Sequence, residues 1–203
     1  MVGYNRRFSP SVRQAKDFFA GAAEPMLINY RVNAGFLPKE HWAQDPVEGG
    51  GRIIGEVCHF IDTIQYISNG EPTSVFAQSL SLTGERSQSD NIAITIRFSN
   101  GSVGVITYLA NGDPALPKER IEIFSGGKTA IIDNFKVLET YQGGTRKVHQ
   151  TISIEKGHKA EIEEFVNSVP LANDLIPFQS LVVTTRATFK IIESLESGLP
   201  VEL

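Results

Sequence analysis

The spacing of apolar side chains changes period along the 203-residue chain. Residues 1–7 read as a short strand already under way, which points to a longer parent protein. Ser9-Pro10 then supplies a helix start, with serine as cap and proline at the first helical position, and the helix is expected to reach about Gly21. Residues 26–32 alternate apolar and polar and predict a strand. Residues 33–51 carry Gly35, Pro38, Pro46 and the run Gly49-Gly50-Gly51, and read as a loop. In 52–68 the apolar residues Ile53, Ile54, Val57, Ile61 and Ile64 fall at helical spacing, and Asn69-Gly70 followed by Pro72 stops that helix.

Beyond Thr73 the period becomes two. Strands are predicted at 73–83, 91–98, 102–109, 119–125, 128–133, 136–141 and 146–154, with Asn100-Gly101, Gly126-Gly127 and Gly143-Gly144 as turns between them. One face of 91–98 carries Ile92, Ile94, Ile96 and Phe98. The strand 102–109 is apolar on both faces, Val103, Val105 and Leu109 against Ile106 and Tyr108, so it calls for cover on both sides. Helices can cover one side and another subunit the other. Two helices, 158–169 and 178–197, close the chain. Strands grouped between helices predict a single α+β domain over 1–203: a large antiparallel-rich mixed sheet with helices packed on one face.

Composition narrows the partners. Hydrophobic residues at 41% and charged residues at 21% match an ordinary globular domain and argue against disorder. The net charge of −4, with no basic run longer than two, disfavours nucleic acid and anionic membranes as partners. No segment approaches the apolar length of a membrane span. Cys58 is the single cysteine, so an internal disulfide is impossible, and a reducing, cytoplasmic setting is expected.

The densest chemistry lies in residues 49–62. On a regular helix Glu56 and His59, three apart, share a face, with Arg52 and Thr63 extending it one turn either way. A carboxylate beside an imidazole is the minimum equipment for taking a proton from a hydroxyl. The same spacing also occurs in solvated pairs. Arg31, Asn33, Lys39, His41, Trp42 and Asp45 precede the glycine turn. Cationic groups there can bind hydroxyls, carboxylates or phosphate, and Trp42 can stack on a sugar ring. They also fit a surface loop pinned by one buried aromatic. Asp62 reads as a hydrogen-bond partner of the helix, and His149 and His158 as structural; Asn111-Gly112-Asp113 and Lys118-Glu119-Arg120 flank a loop that can reach the site, but fit better a turn followed by a salt-bridged strand start. Nothing in the spacing demands a metal site. No glycine-rich dinucleotide fingerprint follows a first strand.

The run Gly49-Gly50-Gly51-Arg52-Ile53-Ile54-Gly55-Glu56-Val57-Cys58-His59-Phe60-Ile61-Asp62 resembles the signature of the C-terminal domain of the glucose–fructose oxidoreductase/inositol dehydrogenase (Gfo/Idh/MocA) family. Residues 2–8, 98–104 and 194–201 extend the resemblance over essentially the whole chain. Residues 29–35, the Gly-Glu-Val-Cys-His run and 117–120 resemble a subgroup fused or related to zinc-type alcohol dehydrogenases. The resemblance implies a sheet like that of the C-terminal half of glyceraldehyde-3-phosphate dehydrogenase. It implies hydride transfer between NAD or NADP and a sugar, polyol or nucleotide-sugar carbon. The cofactor would be bound mainly by an N-terminal Rossmann domain that also supplies a lysine from a Glu-Lys-Pro motif, and no Glu-Lys-Pro occurs in this chain. His59 matches the family's catalytic histidine. The family's aspartate, four residues earlier, falls on Gly55, and Glu56 is the replacement at hand. The isolated chain is expected to be inactive, and homo-oligomerisation through the sheet is expected. Two alternatives stand beside this: a sheet-mediated dimerisation module with no catalytic role, and an NAD-dependent glycosidase on the same scaffold.

Overall fold

The computed structural model describes residues 1–45, 47–80, 90–171 and 173–203. Among these, four helices and nine strands follow the period changes closely. They are α1 (Pro10–Phe18), β1 (Leu27–Asn33), α2 (Cys58–Ser68), β2 (Pro72–Ser79), β3 (Asn91–Phe98), β4 (Val103–Leu109) and β5 (Glu119–Ser125). β6 (Lys128–Asp133), β7 (Val137–Gln142), β8 (Thr145–Gln150), α3 (His158–Ser168), α4 (Phe178–Ser197) and β9 (Val201–Glu202) complete the set. The strands form one sheet in the order β8-β7-β6-β5-β1-β4-β3-β2-β9. β1 runs parallel to β4 and antiparallel to β5, and the other pairs are antiparallel. This is the expected α+β sheet. Residues 81–83 of the predicted strand 73–83 lie outside the described residues, and the short β9 carried no alternation from which to predict it.

The alternation decides which face is covered. Ile28, Tyr30 and Val32 of β1, Ile92, Ile94 and Ile96 of β3, Ile106 and Tyr108 of β4, and Ile121 and Ile123 of β5 are buried beneath the helices. α2 lays Phe60, Ile61, Ile64 and Ile67 on this layer, all fully enclosed, and each contributes about 1.5–3 kcal/mol of apolar transfer energy. It sits low over β4 because residue 104 is glycine. A Cβ there would come within 3.1 Å of Ile64 and Phe98. The opposite face is open: Leu27 and Phe124 are exposed, and Val103, Val105 and Leu109 are half-buried.

Four segments depart from the expectations. Residues 5–8 form a buried 3-10 turn instead of a strand. Its side chains decide this: Arg6 and Arg7 reach buried carboxylates on opposite sides of the turn, Glu119 and Asp62, and the Asn5 amide donates to the Lys156 carbonyl at 2.8 Å. These tertiary partners outweigh a loose alternation. Second, the predicted helix over 52–68 is not regular. Ile53–Val57 forms a π-helical turn that leads into α2. Third and fourth, α1 stops at Phe18 and β8 at Gln150, short of the predicted ends.

Candidate active site

The parallel pair β1–β4 ends at Asn33 and Leu109, and their antiparallel neighbours β5 and β3 begin at Glu119 and Asn91, so these four strands meet at one edge. The loop residues 34–45 and 47–52, the loop 110–118 and the π-helical turn ahead of α2 gather at that edge. A crevice outside the carboxyl ends of parallel strands is where open α/β sheets place ligands.

The first loop is built on its own backbone. The Asp45 carboxylate accepts the Val47 and Glu48 amides at 2.7 and 2.8 Å, which holds its carboxyl below the usual range. The Gly49 and Gly50 amides both donate to the Asp45 carbonyl, at 3.0 and 2.9 Å. Gly49 packs so close to the Trp42–Ala43 backbone that a Cβ would lie 2.5 Å from the Trp42 carbonyl oxygen. The glycine turn is therefore a packing device, and two of its amides are already engaged, which does not suit a phosphate cradle. Trp42 is not the buried pin of this loop: it is 65% exposed and lies on a short 3-10 turn with its ring 5.8 Å from that of His41. Arg52 does the pinning. Its buried guanidinium donates to the Gly35 carbonyl at 2.7 Å, stacks 5.1 Å from the Tyr108 ring, and lies 3.7 Å from Asp90 and 3.6 Å from Glu56.

Asn33 likewise holds the second loop, donating to the Asp113 and Leu116 carbonyls at 2.7 and 3.1 Å. Arg31 donates to the Pro117 carbonyl at 3.0 Å. By strand alternation Arg31 faces the open side of the sheet, away from the helix side that carries His59.

The π-helical turn places Glu56 against the sheet. The Tyr108 hydroxyl donates to its carboxylate at 2.7 Å, and the Lys118 ammonium lies 3.9 Å away. Burial and the Glu56 charge together raise Tyr108 well above its ordinary value, so it acts only as a donor here. Glu56 and His59 are near each other, but among the described residues no hydrogen bond joins them. His59 lies one step further along, with the Tyr4 ring edge-on at 5.6 Å. Its Nδ1 is buried and, among the described residues, has no hydrogen-bond partner. Burial first, then the Arg6 charge, depress the imidazole to about 4, with Glu119 and Glu56 opposing. His59 is therefore neutral at physiological pH.

Glu119, which the sequence reads with Lys118 and Arg120 as a salt-bridged strand start, is the centre of a buried cluster whose cations come from distant segments. Glu119, fully enclosed, accepts Arg6 at 2.7 and 3.0 Å, the Tyr30 hydroxyl at 2.6 Å and Lys156 at 2.7 Å. These donors hold its carboxyl at about 2 against the opposing effect of burial. Asp62 is paired with Arg7 in a buried bidentate contact. A signal for Glu119 existed: it shares the inward parity of Ile121 and Ile123, and a carboxylate on a buried strand face requires buried cations. Two cavities of about 340 and 350 Å³ lie elsewhere, one at the far end of α2 and one against α3 and Met1. No group of three or more metal-ligating side chains occurs among the described residues, nor does any helix long and apolar enough to cross a membrane.

A nine-stranded mixed sheet covered by helices on one face and open on the other, with Glu56 held by Tyr108 of β4, defines an α+β domain. The chain belongs to the GFO/IDH/MocA C-terminal domain family, whose model matches residues 22–132, more than half of its length. No curated protein sequence matches it. Among solved structures, an NAD binding oxidoreductase from Klebsiella pneumoniae superposes with a TM-score of 0.82 at 19% identity, over 100% of this chain and 65% of that one. A levoglucosan dehydrogenase in complex with NADH and levoglucosan gives 0.81 at 20% identity, over 100% and 66%. UDP-N-acetylglucosamine 3-dehydrogenase from Acidithiobacillus ferrooxidans gives 0.76 at 19%, over 96% and 61%. At these identities the likeness is one of fold, and the chain spans less than two thirds of each of these proteins.

Proposed function

We propose that this chain is the substrate-side domain of an NAD(P)-dependent dehydrogenase acting on a hydroxyl of a sugar, polyol or nucleotide-linked sugar. The observation that carries the reading is His59: a neutral imidazole whose buried Nδ1 has no hydrogen-bond partner among the described residues, three residues from Glu56. In the oxidation direction His59 receives the hydroxyl proton while the carbon gives up hydride and becomes a carbonyl. The hydride acceptor would be NAD(P) held by a separate domain. Glu56, fixed by Tyr108 and facing Lys118, takes the place of the aspartate absent at Gly55 and holds a substrate hydroxyl. Trp42 offers a flat apolar face to the sugar ring. Arg52, Asn33 and Asp45 shape the two loops around the substrate, and Arg31 steadies the second of them.

The engaged amides of Gly49 and Gly50 support a cofactor held mainly by a separate Rossmann domain, which leaves this chain inactive alone. The open sheet face, with Leu27 and Phe124 exposed, supports a homo-oligomer, so dimerisation accompanies catalysis instead of replacing it. The unpaired Cys58 fits a cytoplasmic setting. The test is calorimetric titration of NADH into this chain alone and into the protein carrying its nucleotide-binding domain. Binding only in the second case is expected. Micromolar binding by the chain alone would overturn the division of labour.

A further inference from the structure

Helix α3 buries its polar side and presents its apolar one. Its one buried residue is Glu161, and the half-buried Glu164 is paired with Arg13 of α1 at 2.7 Å. Ile162, Phe165, Val166 and Val169, spaced as one helical stripe, are all exposed, whereas a surface helix normally turns such a stripe to the core. The stripe continues onto its neighbours. Phe165 lines a cavity of about 350 Å³ together with Met1, Val2 and Phe178, and these three are exposed as well. An exposed apolar patch that spans several segments marks an interaction surface.

Its place relative to His59 selects the occupant. Tyr4, close behind Met1, has its ring edge-on to His59 at 5.6 Å and packs with Ile176, Leu175 and Leu181, which border the cavity. The patch and His59 therefore flank the same small core. The other apolar surface, the open sheet face, is separated from His59 by the sheet itself, because α2 carries His59 on the helix side. A nicotinamide must reach the carbon whose hydroxyl proton His59 receives, so a cofactor-bearing body has to sit on the His59 side. The superposed solved structures contain chain beyond the part this one spans, and a body attached ahead of Met1 emerges onto the patch. We propose that the face formed by α3, Met1, Val2 and Phe178 is the docking surface for the nucleotide-binding domain. The proposal rests on the reading of this chain as a substrate-side domain, but its test involves neither cofactor binding nor turnover.

The experiment compares amide hydrogen exchange in the 203-residue chain alone and in the protein that joins it to its nucleotide-binding domain, with no nucleotide or substrate present. The amides of α3 are expected to exchange about tenfold more slowly in the joined protein. Val166→Lys, at a position 61% exposed, is expected to leave the urea midpoint of the chain alone in place and to abolish the added protection in the joined protein. Ile162→Lys is the second variant, with the same expectation. Phe124→Arg, on the open sheet face, is expected to leave the added protection intact, and its loss in that variant would count against the proposal. Equal exchange of α3 in the two proteins would overturn it. So would protection of α3 that rises with concentration in the chain alone, which makes the occupant a second copy. A lowered urea midpoint of the chain alone in both lysine variants would also overturn it, by making the stripe part of the core. Failure of the dehydrogenase reading leaves every one of these comparisons unchanged.

Discussion

Replacing Glu119 by glutamine removes the one carboxylate that neutralises Arg6 and Lys156 in the interior. The magnitude follows from two routes. The carboxyl is held at about 2 against an ordinary 4.5, and a displacement of that size corresponds to about 3 kcal/mol at neutral pH. Breaking a buried pair from one side independently suggests about 3–5 kcal/mol, since the cations remain without a partner. Because the folded carboxyl is depressed, its contribution is complete above the ordinary value and is lost as pH falls toward 2. Urea unfolding of wild type and Glu119→Gln at pH 7 and pH 3 reads this directly. The stability gap should be about 3–5 kcal/mol at pH 7 and narrower by about 2 kcal/mol at pH 3. Other carboxylates titrate alike in both proteins and cancel in the difference. A gap that is absent at pH 7, or equal at both pH values, would refute the reasoning.

Gly49→Ala places a methyl 2.5 Å from the Trp42 carbonyl oxygen, so the loop must move. We expect a stability loss of about 1–3 kcal/mol by urea unfolding and a changed Trp42 fluorescence, the single tryptophan making the readout specific. Ile64→Ala, in the layer between α2 and β4, should cost about 2–5 kcal/mol in the same assay. Light scattering at micromolar concentration should return a mass above that of one chain, and an Arg substitution at Phe124 on the open face should return it to a monomer. A clean monomer for the wild type would contradict sheet-mediated assembly.

The sheet was legible because its strands keep strict alternation. The bounds of β3, β5, β6 and α4 follow directly from period and turn residues. The opening turn was not, because Arg6 and Arg7 are fixed by carboxylates more than fifty residues away, a long-range term that local periodicity does not contain. His59 and Glu56 stood out as chemistry, but their relation did not. An i, i+3 argument assumes α-helical geometry, and the π-helical turn at Ile53–Val57 re-aims Glu56 toward Tyr108 and Lys118. The role of Arg52 was hidden for a similar reason: its partners are backbone carbonyls of a loop whose path the sequence does not encode locally.

The central claim is that His59 handles the hydroxyl proton. The direct measurement is kcat for NAD(P)-linked oxidation by the protein that joins this chain to its nucleotide-binding domain, wild type against His59→Ala. A fall of about 10²–10⁴-fold with NADH affinity unchanged is predicted. Unchanged turnover in the folded variant would contradict the account.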